Sequence, residues 1–338
     1  MYSLDKIAKD LGVSKATVSL ILSGKAEKSR ISSETEEKVK NYCRKINYLP
    51  NIHAQRMNQK LVKNIGVLLE PGENIGEESP LSEFNIAQIL GGIAIASEKA
   101  GFGFSVRIYR EGIDDQEIFN SFRNKEIAGL IYYGFRIPEA WKRVFAAENR
   151  HVAGIGIAPV SDISSVNIDN FEMSYHLTEY LLKQGCCRFI YLGGTESSYP
   201  GTERYNGFKA ALQNNQIEFP DENFFMGDFN ESKANKIVKE FFSNKKNHAD
   251  AVVCANDAMA IGAVLGLHES GFKVPQDIAV AGGDNISLGR YFSPALTTFD
   301  NRPRLLGEKA FETLMGSING GEYKHLILKS ELIIRQSA

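Results

Sequence analysis

The chain reads as an α/β protein, with a two-lobed body of parallel sheets behind a small all-α head. Three observations predict this. From residue 64 onward, apolar runs of strand length alternate with helix-length stretches, among them "NIGVLLE" (64–70), "RFIYLGG" (188–194) and "ADAVVCAN" (249–256). Runs that are apolar throughout belong to parallel sheets covered by helices on both faces. There are too many for one sheet, and the remaining runs ("GFSVRIY", "AGLIYYG", "VAGIGIA", "SSVNID", "NFFMGDF", "DIAVAGGD") complete two similar lobes. The first sixty residues instead show helical spacing, and 338 residues exceed what one ordinary core holds.

Composition narrows the function classes. With 43% apolar and 24% charged residues, the chain has a soluble globular profile. No run approaches the roughly 18 apolar residues of a membrane span, and "MYSLDKIAKD" lacks the basic-then-apolar pattern of a secretion signal. A cytoplasmic protein without membrane partners is expected. The four cysteines show no CxxC spacing, and the adjacent pair Cys186 and Cys187 is poor geometry for a bridge, so free thiols are expected. The six histidines form no metal spacing; neither a metal nor a cofactor is expected. No GxGxxG after a strand, no P-loop and no GxSxG elbow is present, which argues against an enzyme.

Charge is spread unevenly. Net charge is −2, yet residues 1–60 hold twelve Lys and Arg against six Asp and Glu, leaving 27 basic and 35 acidic residues for the remainder. A basic head on an acidic body points to a polyanion as the partner of the head.

The head divides into short helices. Ser3 is a good N-cap, followed by Leu4, Ile7, Ala8 and Leu11 at the spacing of one helix face. Gly12 ends that helix and Ser14 caps the next, whose inward face is Val18, Ile21 and Leu22 and which Gly24 stops. Lys15, Ala16, Ser19 and Leu20 face outward. Two helices joined by a short glycine turn form a helix-turn-helix unit. A third helix starts near Ser33, with Ser33 and Glu36 as a capping box and Val39, Tyr42, Cys43 and Ile46 as its apolar stripe.

"SLDKIAKDLGVSKATVSLILSGKA" and "RISSETEEKVKNYCRKINYLPN" resemble the DNA-binding head of the lactose-repressor family of bacterial transcription regulators. The inserted "GKAEKSRIS" is similar to the branch with the fructose and sucrose repressors. The resemblance implies that Ser14, Lys15, Ala16, Thr17, Ser19 and Leu20 meet operator DNA in the major groove. Leu20 stands where an arginine is common and cannot donate to guanine. "YLPNIHAQRMNQK" resembles the family's hinge helix, which orders when two copies pair on DNA. This places Asn51, His53, Ala54 and Met57 on DNA, with Met57 as the minor-groove wedge. The implied domains are a head at 1–49, a hinge at 50–60 and an effector-binding core at 61–338.

In open parallel sheets, ligands bind beyond the carboxyl ends of the strands. Asn256 and Asp257 end one strand, Asp284 with Asn285 ends another, and Arg204 follows a third. An amide, a carboxylate and a guanidinium each make paired directed hydrogen bonds, which suit a polyhydroxyl ligand. The bland alternative makes Asn256 and Asp284 caps of helices or turns and Arg204 a member of a surface ion pair. Phe84, Tyr132, Tyr133, Tyr199 and Phe299 are candidates to stack on a sugar ring. "RYNGFKAAL", "ANDAMAIGAVLGLHESGFKVPQDIAVAGGDN" and "LILKSELIIRQS" also resemble the family's core, which is similar to a periplasmic sugar-binding protein. That likeness implies an N-lobe of 61–162 with 294–321 and a C-lobe of 163–293 with 322–338. Arg204, Asn256 and Asp284 then match effector contacts; Tyr132, Phe84 and Phe299 are added to the expected site as stacking residues, although aromatic residues at strand ends more often belong to the core. Gly283 departs from the family's bulky residue at that point. The implied function is a repressor working as a homodimer or larger assembly, gated by a small molecule, with a carbohydrate expected. Induction and corepression both fit. The alternatives are a corepressor such as a purine, or a sugar-binding protein with no regulatory role.

Overall fold

The computed structural model of the chain describes residues 3–23, 26–48, 62–70, 84–110, 112, 114–141 and 151–338. The expected hinge, with Asn51, His53, Ala54 and Met57, lies outside the described residues, as does Gly24. The chain divides into two units, Met1–Val62 and Lys63–Ala338.

In the first unit, α1 (Leu4–Leu11), α2 (Lys15–Leu22) and α3 (Ser33–Lys45) enclose a small core of Ile7, Val18, Ile21, Val39 and Cys43. Ser3 caps α1, and Gly12 closes it in the left-handed region at φ 66°. Ser14 caps α2 by accepting from the N–H of Thr17 at 3.0 Å. The cap of α3 differs from expectation by one residue. Ser32 is the extended residue whose hydroxyl meets the N–H of Thr35, while Ser33 is already helical. Glu36 is thereby released from the cap and pairs with Lys40 one turn on, at 2.5 Å. Tyr42 donates to Asp10 at 2.5 Å, tying α3 to α1.

The second unit holds two parallel sheets. The first has the order β11-β5-β4-β3-β1-β2, from β1 (Asn64–Leu69), β2 (Gly103–Ile108), β3 (Leu130–Tyr133), β4 (Val152–Ile155), β5 (Ser164–Ile168) and β11 (His325–Leu328). The second has the order β7-β6-β8-β9, from β6 (Phe189–Gly193), β7 (Phe224–Met226), β8 (Ala251–Cys254) and β9 (Ala279–Ala281). A short antiparallel pair, β10 (Thr298–Asp300) with β12 (Glu331–Ile333), completes the strands.

Sheet membership corrects the expected lobe limits. Both 164–168 and 325–328 pair within the first sheet, β5 against β4 and β11 against β5, although the sequence reading placed them in the C-lobe. Conversely Thr297, placed in the N-lobe, bridges Ala281 at the edge of the second sheet. The chain therefore passes between lobes after Ile168, near Asn301 and between Leu328 and Glu331.

Helices cover both sheets. α4 (Phe84–Ala100) packs on α11 (Pro303–Ile318) over the first sheet, and α5 (Asp115–Arg123) follows β2. α6 (Asn170–Lys183) pairs with α7 (Tyr199–Asn214), and α8 (Glu231–Ser243) with α9 (Asp257–Glu269); α10 (Ser287–Tyr291) is one short turn. The α4–α11 crossing is closed by glycine on both sides. A Cβ on Gly307 would lie 2.1 Å from the carbonyl oxygen of Ile89, and one on Gly92 would lie 2.0 Å from that of Arg304. No helix among the described residues is long and apolar enough to cross a membrane.

Candidate functional site

On α2, Lys15 and Ala16 are exposed, Thr17, Ser19 and Leu20 are half-buried, and Val18 and Ile21 face the core. Small side chains at the helix start leave its first turn free to approach a base edge. The hydroxyl of Ser14 is engaged in the cap and lies 2.8 Å from that of Thr17. Lys15 pairs with Asp5 at 2.8 Å, but both are well exposed, and such a pair is worth little against a phosphate.

In the second unit, a cavity of about 790 Å³ opens where the carboxyl ends of the two sheets face each other. Arg204, Asn256, Asp284 and Phe84 line it, as the sequence reading expected. Arg204 comes from α7, whose start is set by Ser198 accepting from the N–H of Gly201 at 3.1 Å. Far from being a surface residue, Arg204 is only 6% exposed. Its Nε donates to Asn170 at 2.8 Å, its Nη1 donates to the carbonyl of Ala255, and the same Nη1 lies 3.6 Å from Asp284. Its guanidinium rests over the ring of Phe299, 5.3 Å from the centroid.

Asp284 follows β9 with φ 126°, a strained backbone for a non-glycine residue. Its N–H donates to the carbonyl of Phe299 at 3.0 Å, and its carboxylate accepts from the amide of Asn301. Asn256 serves two roles. It lines the cavity and also caps α9, accepting from the N–H of Met259 at 2.9 Å and donating to the carbonyl of Phe229 at 3.3 Å. The bland reading therefore holds for Asn256 as a cap and fails for Arg204.

Two candidate stacking residues belong to the core instead. Tyr132 is fully buried against Tyr109 and Trp141, with its hydroxyl donating to Glu70 at 2.5 Å. Burial and the adjacent Glu70 carboxylate push its phenol far above the ordinary range. Successive side chains on a strand point to opposite faces, so its neighbour Tyr133 reaches the cavity. Phe299 is 2% exposed and forms a floor beneath Arg204. Its ring also explains Gly283, where a Cβ would come within 2.2 Å of it. Tyr199 opens α7 but does not line the cavity.

Sequence reasoning missed Asn170, Asn301, Thr195 and the Phe135–Phe229 pair. The two rings stack at 6.4 Å and 7°, bringing the loop after β3 to the loop after β7. Asp257, at the same strand end as Asn256, does not line the cavity. Fully buried, it accepts from the hydroxyl of Thr298 at 2.6 Å and the N–H of Ile286 at 2.9 Å, fixing the segment that carries Asp284. Burial pushes its carboxyl up to about 6, with those two hydrogen bonds and the charges of Arg335 and Arg204 holding it back.

Comparison with known proteins agrees with both parts. Residues 3–51 match the family described as bacterial regulatory proteins, lacI family, and residues 178–338 match the periplasmic binding protein-like domain. The chain is 28% identical to the HTH-type transcriptional regulator MalR of Clostridium butyricum, over 99% of this chain and 98% of that protein. It is 29% identical to the HTH-type transcriptional repressor PurR of Photorhabdus laumondii subsp. laumondii, over 94% of this chain and 91% of the relative. Among solved structures, the lac repressor dimer bound to operator and the anti-inducer ONPF superposes with a TM-score of 0.86 at 26% identity, covering 99% of this chain and 98% of that one. The complex of the transcriptional regulator CelR with cellobiose has the same fold, with a TM-score of 0.75 at 24% identity and full coverage of both chains. None of these relatives is named as a fructose or sucrose repressor. Head and body are matched together along nearly the whole length of proteins named as transcription regulators, and the chain carries a lacI-family helix-turn-helix domain followed by a periplasmic-binding-protein-like domain.

Proposed function

We propose that the protein is a transcriptional repressor that grips a near-palindromic operator as a homodimer in the cytoplasm. In this reading residues 1–49 read the site, with Ser14, Lys15, Ala16, Thr17, Ser19 and Leu20 at the DNA. Residues 50–60, with Asn51, His53, Ala54 and Met57, form the hinge, and 61–338 is the core that takes a sugar or sugar derivative between its lobes. One observation carries the gating: the cavity lies where segments that pass between the sheets meet, and Arg204, Asp284 and Asn301 form one buried network on its wall. A ligand held there favours one arrangement of the lobes, and coupling of about 1–3 kcal/mol to the DNA site is typical of such switches. The solved relatives supply the precedent, one bound to operator and an anti-inducer and one to cellobiose.

The test is selection of genomic DNA fragments by the purified full chain, with and without metabolites from a cell extract. Enrichment of one near-palindrome, altered by the metabolites, is the expected result. A retained pool with no common site under either condition would sink the repressor reading.

A further inference from the structure

We infer that the effector is an uncharged, hydroxyl-rich sugar, and that the cleft rejects sugar phosphates and other anions. The inference rests on the effector reading above and narrows it.

Charge gives the first reason. Among the described residues lining the cavity, Glu70, Asp228, Glu231 and Asp284 are carboxylates and Arg204 is the one cation. Lys233, outside the lining, pairs with Asp228, which leaves Glu70 and Glu231 without a cation among the ion pairs of the described residues. Arg204 is already matched by Asp284 at 3.6 Å and committed to Asn170 and Ala255, which leaves Nη2 for a ligand. A phosphate needs several donors or cations at once, and in a site of low dielectric the surrounding carboxylates repel it.

Unpaired polar atoms give the second. Asn301 turns its amide NH₂ to Asp284, because a carboxylate can only accept, and its carbonyl oxygen is left buried without a partner. Asn85 Oδ1 is in the same position, and the hydroxyl of Thr195, which can donate as well as accept, is also without a partner. Thr195 and Asn301 are each only 6% exposed. Orphaned buried acceptors are costly and call for donors. Sugar hydroxyls supply them, whereas a phosphate group set against the same oxygens offers acceptors alone.

Helix N-termini, which ordinarily favour anions, do not reverse this. Ser198 and Asn256 occupy free N–H groups of α7 and α9, Pro200 has none to offer, and the N–H of Asp257 is spent on the carbonyl of Gly283.

The test is titration of the full chain, by calorimetry and thermal shift, with maltose, cellobiose, sucrose and trehalose. The same chain is titrated with glucose 6-phosphate, trehalose 6-phosphate and fructose 1,6-bisphosphate, and with hypoxanthine and guanine as a non-sugar arm. The expected result is saturable binding of a neutral sugar, at least about tenfold tighter than any phosphate ester, or 1.4 kcal/mol. That binding should weaken by a similar factor in Asn301→Ala and in Asp284→Asn, both first shown to melt cooperatively. A phosphate ester that binds more tightly than its neutral parent, a nucleobase that binds in place of every sugar, or no binding by any neutral sugar would overturn the inference. Undiminished sugar binding in both variants would instead remove the cleft as the effector site.

Discussion

Asp257 shows how one side chain can hold a segment of the cavity wall without lining the cavity itself. Its carboxyl is raised to about 6 in the fold, against an ordinary value near 4. A raised carboxyl contributes stability that is full below about pH 4 and is lost as pH rises through about 6. The stability difference between the parent and Asp257→Asn should therefore shift toward the parent as pH falls from 7 to 4, by an amount on the order of 3 kcal/mol. Denaturant melts at several pH values measure it, and a difference that stays flat with pH would refute the assignment. Arg204 and Asp284 form a buried pair, at 7% and 9% side-chain exposure. Arg204→Ala leaves the carboxylate uncompensated and should cost about 3–5 kcal/mol, seen as a lower midpoint of the body's unfolding. Asp284→Ala should abolish the effector response and retain operator binding in the effector-free form, if the effector is an inducer. A normal response would take Asp284 out of the site.

Helix ends and crossings carry the next level of organisation. Ser14→Ala removes the cap of α2 and should cost the head about 1 kcal/mol. Faster amide exchange in residues 4–45, with exchange in 63–338 unchanged, is the expected reading. Gly307→Ala would drive a methyl group onto the backbone of α4, and overpacking of this kind costs about 1–3 kcal/mol or more. A Tm equal to that of the parent would mean that the α4–α11 contact is looser than drawn. In the proposed hinge, Met57→Ala should weaken operator binding while leaving effector binding unchanged. Equal loss of both would count against the wedge role.

For the whole molecule, the division of charge between a basic head and an acidic body sets how it meets DNA. Operator affinity should fall on the order of a thousandfold between 50 and 200 mM salt if about six phosphates are contacted. Binding of an uncharged effector should barely move over the same range. Affinity indifferent to salt would argue that the head does not engage the phosphate backbone.

The features legible in the residues were those set by near neighbours. Alternating strand and helix runs announced parallel sheets, and Ser3, Gly12 and Ser14 marked helix ends, because cap, turn and periodicity act within a few residues. Even there Ser32 displaced Ser33, since a one-residue shift in where the backbone turns helical carries no separate signature. Arg204, Asn256 and Asp284 were readable from their places beyond strand ends. Long-range pairing was not. The assignment of β5 and β11 to the first sheet depends on which strands lie side by side, which apolar runs do not encode. The faces of Tyr132 and Tyr133 depend on which side of β3 meets the lobe interface. The network of Asn170, Arg204, Ala255, Asp284 and Asn301 joins residues far apart along the chain. Local sequence sets how each segment bends. Closing the chain on itself sets which polar groups are stripped of water together, and that shared burial is what gathers them at one cavity.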